Sequence, residues 1–368
     1  MTAQRRGPLT GLRIVEFAAI GPGPFAAMML ADMGADIVRI DRKASKDVGV
    51  PPAQLRGRRS IALDLKSDAD VELARRLADR ADALVEGFRP GVMERLGLGP
   101  DALLARNPKL VYGRMTGWGQ EGPLADRAGH DINYIAITGA LNAIGLRTDK
   151  PVIPLNLLGD FGGGSMFLIT GLLAAIIESR GSGKGQVVDA AICDGVAALT
   201  TFFHALRADE IWSDERESNF IDGGSHFYNV YACADGKHIS VGAIEKQFYV
   251  ELRQRAGLAD PAFDAQSDRK AWPDLRDKLA AIFATRTRDE WCALFEGSDA
   301  CVAPVLDWRE SVAHPHNRAR DIFIERDGAI EPAPAPRFSR TPSAMAPPGP
   351  RPDQDRDAIL ADWEIATP

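Results

Sequence analysis

The chain has 368 residues, 45% of them hydrophobic, and a formal net charge of −7. This is the balance of a globular protein with room for two or three domain-sized units, and its acidity argues against general nucleic-acid binding. Its four cysteines, Cys193, Cys233, Cys292 and Cys301, are scattered without a CxxC pair, so no zinc site and no disulfide framework is expected.

The first fifty residues read as a βαβ unit. Arg13–Phe17 is a short apolar strand, Gly21-Pro-Gly-Pro24 a turn, Phe25–Met33 a helix of small residues ended by Gly34, and Ala35–Asp41 a second strand. A helix over Asp68–Arg80 and strands at Ala83–Val85 and near Leu110–Tyr112 continue the alternation of a doubly wound α/β layer. Phe161–Arg180 reads as a long apolar helix opening on Gly162, Gly163 and Gly164. Its apolar run, Met166–Ile177, is shorter than the ~20 residues a bilayer span needs, so a buried helix is expected there. No secretory or peroxisomal address is legible, which makes the cytoplasm the expected compartment, with no membrane. A strand at Val187–Ala190 follows, another helix begins after it, and an irregular polar stretch runs over 213–225. A strand at His238–Val241 opens a second unit, whose helices run to about Phe295. After Glu331 prolines are frequent and the chain must run extended, before a final helix at Arg356–Trp363.

Gly21-x-Gly23-x-x-Ala26 after a strand, with Asp41 about twenty residues on, imitates a dinucleotide fingerprint. Pro22 and Pro24 remove backbone donors that such a cradle needs, so the segment is read as a rigid strand-to-helix turn. The density of cations around the second strand (Arg39, Arg42, Arg56, Arg58, Arg59, Lys66, then Arg89 and Arg95) suits a ligand carrying several phosphates.

Several motifs in one order make the chain recognisable. Gly21-Pro-Gly-Pro24, Ala35–Arg42, Arg58–Lys66 and Gly87-Phe-Arg-Pro-Gly91 resemble the family III CoA transferases. Within that family, Met115–Gln120, Gly129–Tyr134, Leu155–Ser165, Val241–Tyr249 and Ala335–Arg340 are similar to the α-methylacyl-CoA racemases. The resemblance implies an α/β fold with a Rossmann-like large domain (1–190 with 331–368), a linker (191–228), a small α+β domain (229–317) and a second linker (318–330). It implies an interlocked homodimer, in which the site lies between the large domain of one chain and the small domain of its partner. It also implies an acyl-CoA substrate held by Arg42, Leu63, Asp64, Leu65, Lys66, Gly87, Phe88, Arg89, Arg95, Gly129, Asp131, Ile132, Asn133 and Tyr134.

The implied reaction interconverts (2R)- and (2S)-2-methylacyl-CoA. It removes the α-proton to give an enolate and returns a proton to the opposite face, which takes two acid/base groups but no metal or organic cofactor. His130 is the first candidate, because imidazole titrates near neutrality. Asp160 is the second. It precedes a glycine-rich helix start, where it would act as an N-cap while free N–H groups meet the enolate oxygen. The resemblance pairs Glu245 with His130. His226 stands where it implies an apolar or aromatic residue, a departure that bears on the polarity of the acyl pocket and so on the substrate range. The alternative activity is a CoA transferase with Asp160 as nucleophile.

Overall fold

The computed structural model describes residues 6–43 and 50–366. The chain divides into two compact units, Met1–Thr138 with Pro154–Thr200 and Ile324–Pro368, and Gly139–Ile153 with Thr201–Phe323.

The first unit is built on a six-stranded sheet in the order β3-β2-β1-β4-β5-β6, comprising β1 (Arg13–Phe17), β2 (Asp36–Arg42), β3 (Arg58–Leu63), β4 (Ala83–Glu86), β5 (Val111–Thr116) and β6 (Val187–Ala191). Every pairing is parallel. The central strands are near-continuous apolar runs because helices cover both faces. The helices are α1 (Pro22–Asp32), α2 (Asp68–Asp79), α3 (Val92–Arg95), α4 (Pro100–Arg106), α5 (Asp131–Ile137), α6 (Met166–Ser182) and α7 (Ile192–Leu199). In α2 the buried Val71, Leu73, Ala74, Leu77 and Ala78 form one face, and Asp68 and Asp70 in the first turn complement the helix dipole.

The C-terminal segment closes the exposed edge of this sheet. Asp355 and Asp353 accept the N–H groups of Ser60 and Ala62 on β3 at 2.9 and 2.8 Å, which blunts the edge strand. Helix Arg356–Asp362 then buries Ile359 and Leu360, and Trp363 follows with no exposure.

Most of the expected phosphate-binding arginines are structural. Arg58 pairs with Glu16 at 2.9 Å, Arg56 with Asp32 at 2.6 Å, Arg39 with Asp41 at 2.8 Å, and Arg59 with Asp36 at 2.6 Å. Each arginine is buried. A buried cation needs such a partner, and once paired it is no longer available to a ligand.

The second unit holds a three-stranded antiparallel sheet of β7 (Tyr228–Ala232), β8 (His238–Gly242) and β9 (Val302–Val305). Around it lie α9 (Lys246–Ala256), α10 (Trp272–Phe283) and α11 (Arg288–Phe295), over an aromatic core that includes Phe227, Tyr249, Phe263, Trp272, Phe283 and Trp291, and the unit also holds α8 (Thr201–Ala208).

This division differs from the sequence expectation in three places. Residues 139–153 belong with the second unit, because the Arg216 guanidinium donates to the carbonyls of Leu146, Asn142 and Asp149. The stretch 191–228 is shared between the units rather than linking them: the expected helix after β6, α7, belongs to the first unit, and a further helix, α8, to the second. The stretch 318–330 contains most of a two-stranded ribbon, Phe323–Arg326 with Ala329–Pro332. The long apolar helix also begins earlier than expected. Leu157–Ser182 is continuous over 26 residues and meets the length and composition of a membrane span, yet Gly163, Gly164, Leu168, Ile169 and Leu172 are packed into the unit's interior.

Candidate active site

A cleft of about 400 Å³ opens in the first unit at the C-terminal ends of β1, β4 and β5. The strand order reverses between β1 and β4, which is where open α/β sheets bind ligands. Ala19–Gly23 follow β1, Gly87–Pro90 follow β4, and Met115–Trp118 run off β5, and all of them line the cleft. Gly21 has φ of 71°, so the chain turns there at no steric cost and enters α1 directly at Pro22. With prolines at 22 and 24, the imitation fingerprint is a helix start that lacks two amide donors.

His130 lies in this cleft at the N-cap of α5. Its backbone N–H donates to the Asn133 Oδ1 at 3.0 Å, which squares the imidazole-bearing residue to the first turn. Tyr134, one turn on, packs edge-to-face against Trp118 at 4.7 Å and donates its hydroxyl to the Gly129 carbonyl. Burial and the Asp160 charge raise the Tyr134 phenol above its usual range.

Asp160 lines the same cleft, but not as a helix cap. It sits inside a π-wound segment, Leu157–Ser165, whose N-cap is Asn156 and which runs straight into α6. Such wide turns are rare and recur at functional sites. The glycines permit close approach here: a Cβ on Gly163 would stand 2.5 Å from the Val196 side chain, and one on Gly195 1.9 Å from the Gly163 carbonyl oxygen. The Asp160 carboxylate lies beside Gly21, whose Cβ position is 3.4 Å from Asp160 Oδ2, and that oxygen accepts a hydrogen bond from Asn156 at 3.3 Å.

The backbone N–H of Asp160 donates to the Asp131 Oδ2 at 2.7 Å, and that of Phe161 to the Asn156 carbonyl at 3.3 Å. The expectation that free amides of this helix start would meet an enolate oxygen therefore fails for these two groups. Burial pushes the Asp160 carboxyl up, the Asp131 charge adds to the rise, and Asn156 and His130 oppose it.

The expected coenzyme A residues fall along one edge of the sheet. Arg42 ends β2 opposite Leu63 of β3, and Asp64–Lys66 continue past it. Arg42, Asp64 and Lys66 are exposed and Leu65 half-buried, whereas Leu63 is 1% exposed, so its side chain belongs to the core. Gly87, Phe88 and Arg89 line the cleft itself, and Arg95 lies exposed on α3. Ile132 and Asn133 are exposed on the first turn of α5, and Gly129 and Tyr134 line the cleft. Asp131 is buried.

Glu245 is exposed at the N-cap of α9, in the second unit. His226 does not line this cleft. It has no exposure, and its ring lies among Phe227, Tyr249 and Phe263 in that unit's core. Sequence reasoning gave no role to Asn156 or Arg127, which touch Asp160 and line the cleft respectively. Asn156 lies within a motif that carried the resemblance, four residues before Asp160, and that spacing was the available signal. Among the described residues no group of three or more His, Cys, Asp or Glu side chains could hold a metal ion.

The sequence profile described as "CoA-transferase family III" matches residues 9–356. The chain belongs to CoA-transferase family III. This family III chain is 46% identical to the α-methylacyl-CoA racemase of Mus musculus and 44% identical to that of Homo sapiens, over 91% of its length and 87% of theirs. Among solved structures it is similar to a CAIB/BAIF family protein from Brucella suis, with a TM-score of 0.83 at 26% identity over 98% of this chain and 100% of that one. Rv3272 from Mycobacterium tuberculosis superposes with a TM-score of 0.81 at 26% identity over 97% and 100%.

Proposed function

We propose that this family III chain is a racemase of 2-methylacyl-CoA thioesters. The observation that carries the reading is one cleft lined by both His130 and Asp160, in a chain 44–46% identical to α-methylacyl-CoA racemases.

The thioester carbonyl makes the hydrogen on C2 acidic. One of the pair takes that proton as the C–H electrons move into the carbonyl, giving an enolate. The other, protonated, returns a proton to the opposite face of C2. The two roles exchange for the reverse epimer. The raised Asp160 carboxyl suits this work, because a group that is both base and acid serves best with its pKa nearer the working pH. The substrate's own carbonyl is the electron sink, so the reaction needs no cofactor.

The coenzyme A moiety runs along the strand ends. Arg42, Lys66, Arg89 and Arg95 meet its phosphates, and the backbone around Leu63–Lys66 and the Gly87–Phe88 turn meet the rest. Gly129, Asp131, Ile132, Asn133 and Tyr134 hold the thioester end. We assign Glu245 of the partner subunit to the His130 ring, in an interlocked homodimer. Exposed apolar side chains on α6, α7 and α8, namely Ile177 at 72%, Leu199 at 44% and Phe202 at 52%, support burial of these helices against a second chain.

Incubation of a single-epimer 2-methylacyl-CoA with the enzyme in heavy water tests the reading. The expected result is deuterium at C2 together with loss of optical purity. Retention of hydrogen and configuration, with CoA passing instead to an added carboxylate acceptor, would replace it with a transferase that uses Asp160 as nucleophile.

A further inference from the structure

Asp131 follows His130 directly, but it occupies a different environment. The residue is 8% exposed. Its Oδ2 accepts the backbone N–H of Asp160 at 2.7 Å, and the neighbouring Gly159 amide favours the charged form of the carboxylate. The fit is close: a Cβ on Gly159 would stand 2.2 Å from Asp131 Oδ2, so the carboxylate fills space that only glycine leaves. Residues 130 and 131 are consecutive at one helix start. The imidazole is therefore fixed to the same short piece of backbone that holds the peptide of the second proton carrier.

We propose that Asp131 is a positioning residue, whose buried carboxylate sets the place of Asp160 relative to His130. The proposal rests on the racemase reading and goes beyond the CoA contact that the family resemblance gives Asp131. Two effects follow from one contact. The hydrogen bond fixes where the Asp160 side chain begins, and a misplacement of about 1 Å at a reacting group costs on the order of a hundredfold in rate. The negative charge also disfavours ionisation of Asp160. The other groups facing Asp160 are the Asn156 amide, the His130 ring and the Tyr134 phenol, with Asn156 and His130 opposing that push.

The test compares Asp131→Ala with Asp131→Asn at saturating substrate, starting from each epimer. Alanine removes both acceptor and charge, and kcat is expected to fall about a hundredfold. Asparagine keeps an acceptor for the Asp160 amide and loses only the charge. It should retain kcat within about tenfold, and the acid limb of its pH–rate profile should move to lower pH for the epimer from which Asp160 takes the proton. A side chain that only held coenzyme A would raise KM in both variants and leave kcat and the limb in place. Intact kcat in the alanine variant, or an unmoved limb in the asparagine variant, overturns the proposal. If the wild-type protein fails to exchange C2 hydrogen at all, the racemase reading falls. The positioning claim is then decided by the crystal structure of Asp131→Ala: a displaced Gly159–Asp160 peptide supports it and an unmoved one overturns it.

Discussion

The cleft of the first unit and the core of the second each contain a histidine, and the two stand in opposite environments. His130 is exposed at a helix N-cap, beside a carboxylate that burial has raised. His226 has no exposure, accepts or donates at Nε2 to the Tyr249 hydroxyl at 2.7 Å, and stands edge-on to Phe227 and Tyr249. Burial without a counter-charge lowers the His226 pKa to about 4, so at neutral pH it is a polar spacer between aromatic rings. A histidine works as a proton carrier where water and substrate reach it, and as a structural side chain where neither does.

The largest expected effects break this pair apart. His130→Ala should lower kcat for racemisation about a thousandfold, within the range for loss of a general acid–base group, and leave the unfolding midpoint almost unchanged. His226→Ala should do the reverse. It opens a cavity among aromatic rings and frees the Tyr249 hydroxyl from one partner, a loss of about 3 kcal/mol in stability by analogy with other large-to-small core changes. The kcat of its folded fraction should stay within a few-fold of wild type. Kinetics together with urea titrations of both variants read the two quantities. Similar losses of kcat in both would mean that the second unit's core bears on the chemistry.

The pH dependence of stability sharpens the comparison. His226 has a folded pKa of about 4, below the ordinary histidine value. Between those values the unfolded chain binds the extra proton and the folded one does not. Stability therefore rises with pH through this window and is lost as pH falls through it. From pH 7 to 4.5 the loss attributable to His226 is about 2 kcal/mol. His226→Phe should remove that increment, measured as the change in unfolding free energy across the window. An unchanged acid slope would place the titration elsewhere.

Much of this was legible in the sequence because it depends on local pattern. The alternation of Arg13–Phe17, Pro22–Asp32 and Asp36–Arg42 follows from apolar runs and turn residues, and so does the parallel sheet. His130 and Asp160 stand out through motif and residue type, and both line the one cleft. What could not be read depends on which side chains meet across long separations. Arg56, Arg58 and Arg59 look like Arg42 in the sequence, yet their partners Asp32, Glu16 and Asp36 lie more than twenty residues away and take them out of ligand binding. Residues 139–153 group with the second unit through Arg216, about seventy residues on, a tie that local pattern does not carry. Three consecutive glycines read as an ordinary helix start, whereas the π winding from Leu157 goes with the close packing of Gly163 against Val196 and Gly195, which lie about thirty residues on.

Glu86 supplies the smallest effect, with the opposite sign to His226. It ends β4 with 3% exposure, directly before the Gly87–Pro90 wall of the cleft, and its Oε2 accepts the Phe88 N–H at 2.8 Å. The nearest cation is Arg114 on β5, with Nε 3.6 Å from Oε1, but that guanidinium is also claimed by Glu94 on α3 and by Gln120. Burial dominates, the charges of Glu94 and of Asp189 on β6 add to it, and Arg114 and the Phe88 amide only partly offset it, leaving the carboxyl at about 7. Here the folded chain holds the proton through a range where the unfolded one has lost it, so stability falls as pH rises from the ordinary glutamate value to about 7. Between pH 6 and 8 the decline due to Glu86 is about 1 kcal/mol. Glu86→Gln keeps an acceptor for Phe88 and removes the ionisation, so its stability should stay level over that window and exceed wild type at pH 8. A variant that loses stability at pH 8 would show that the Glu86–Arg114 attraction outweighs the cost of burying the charge.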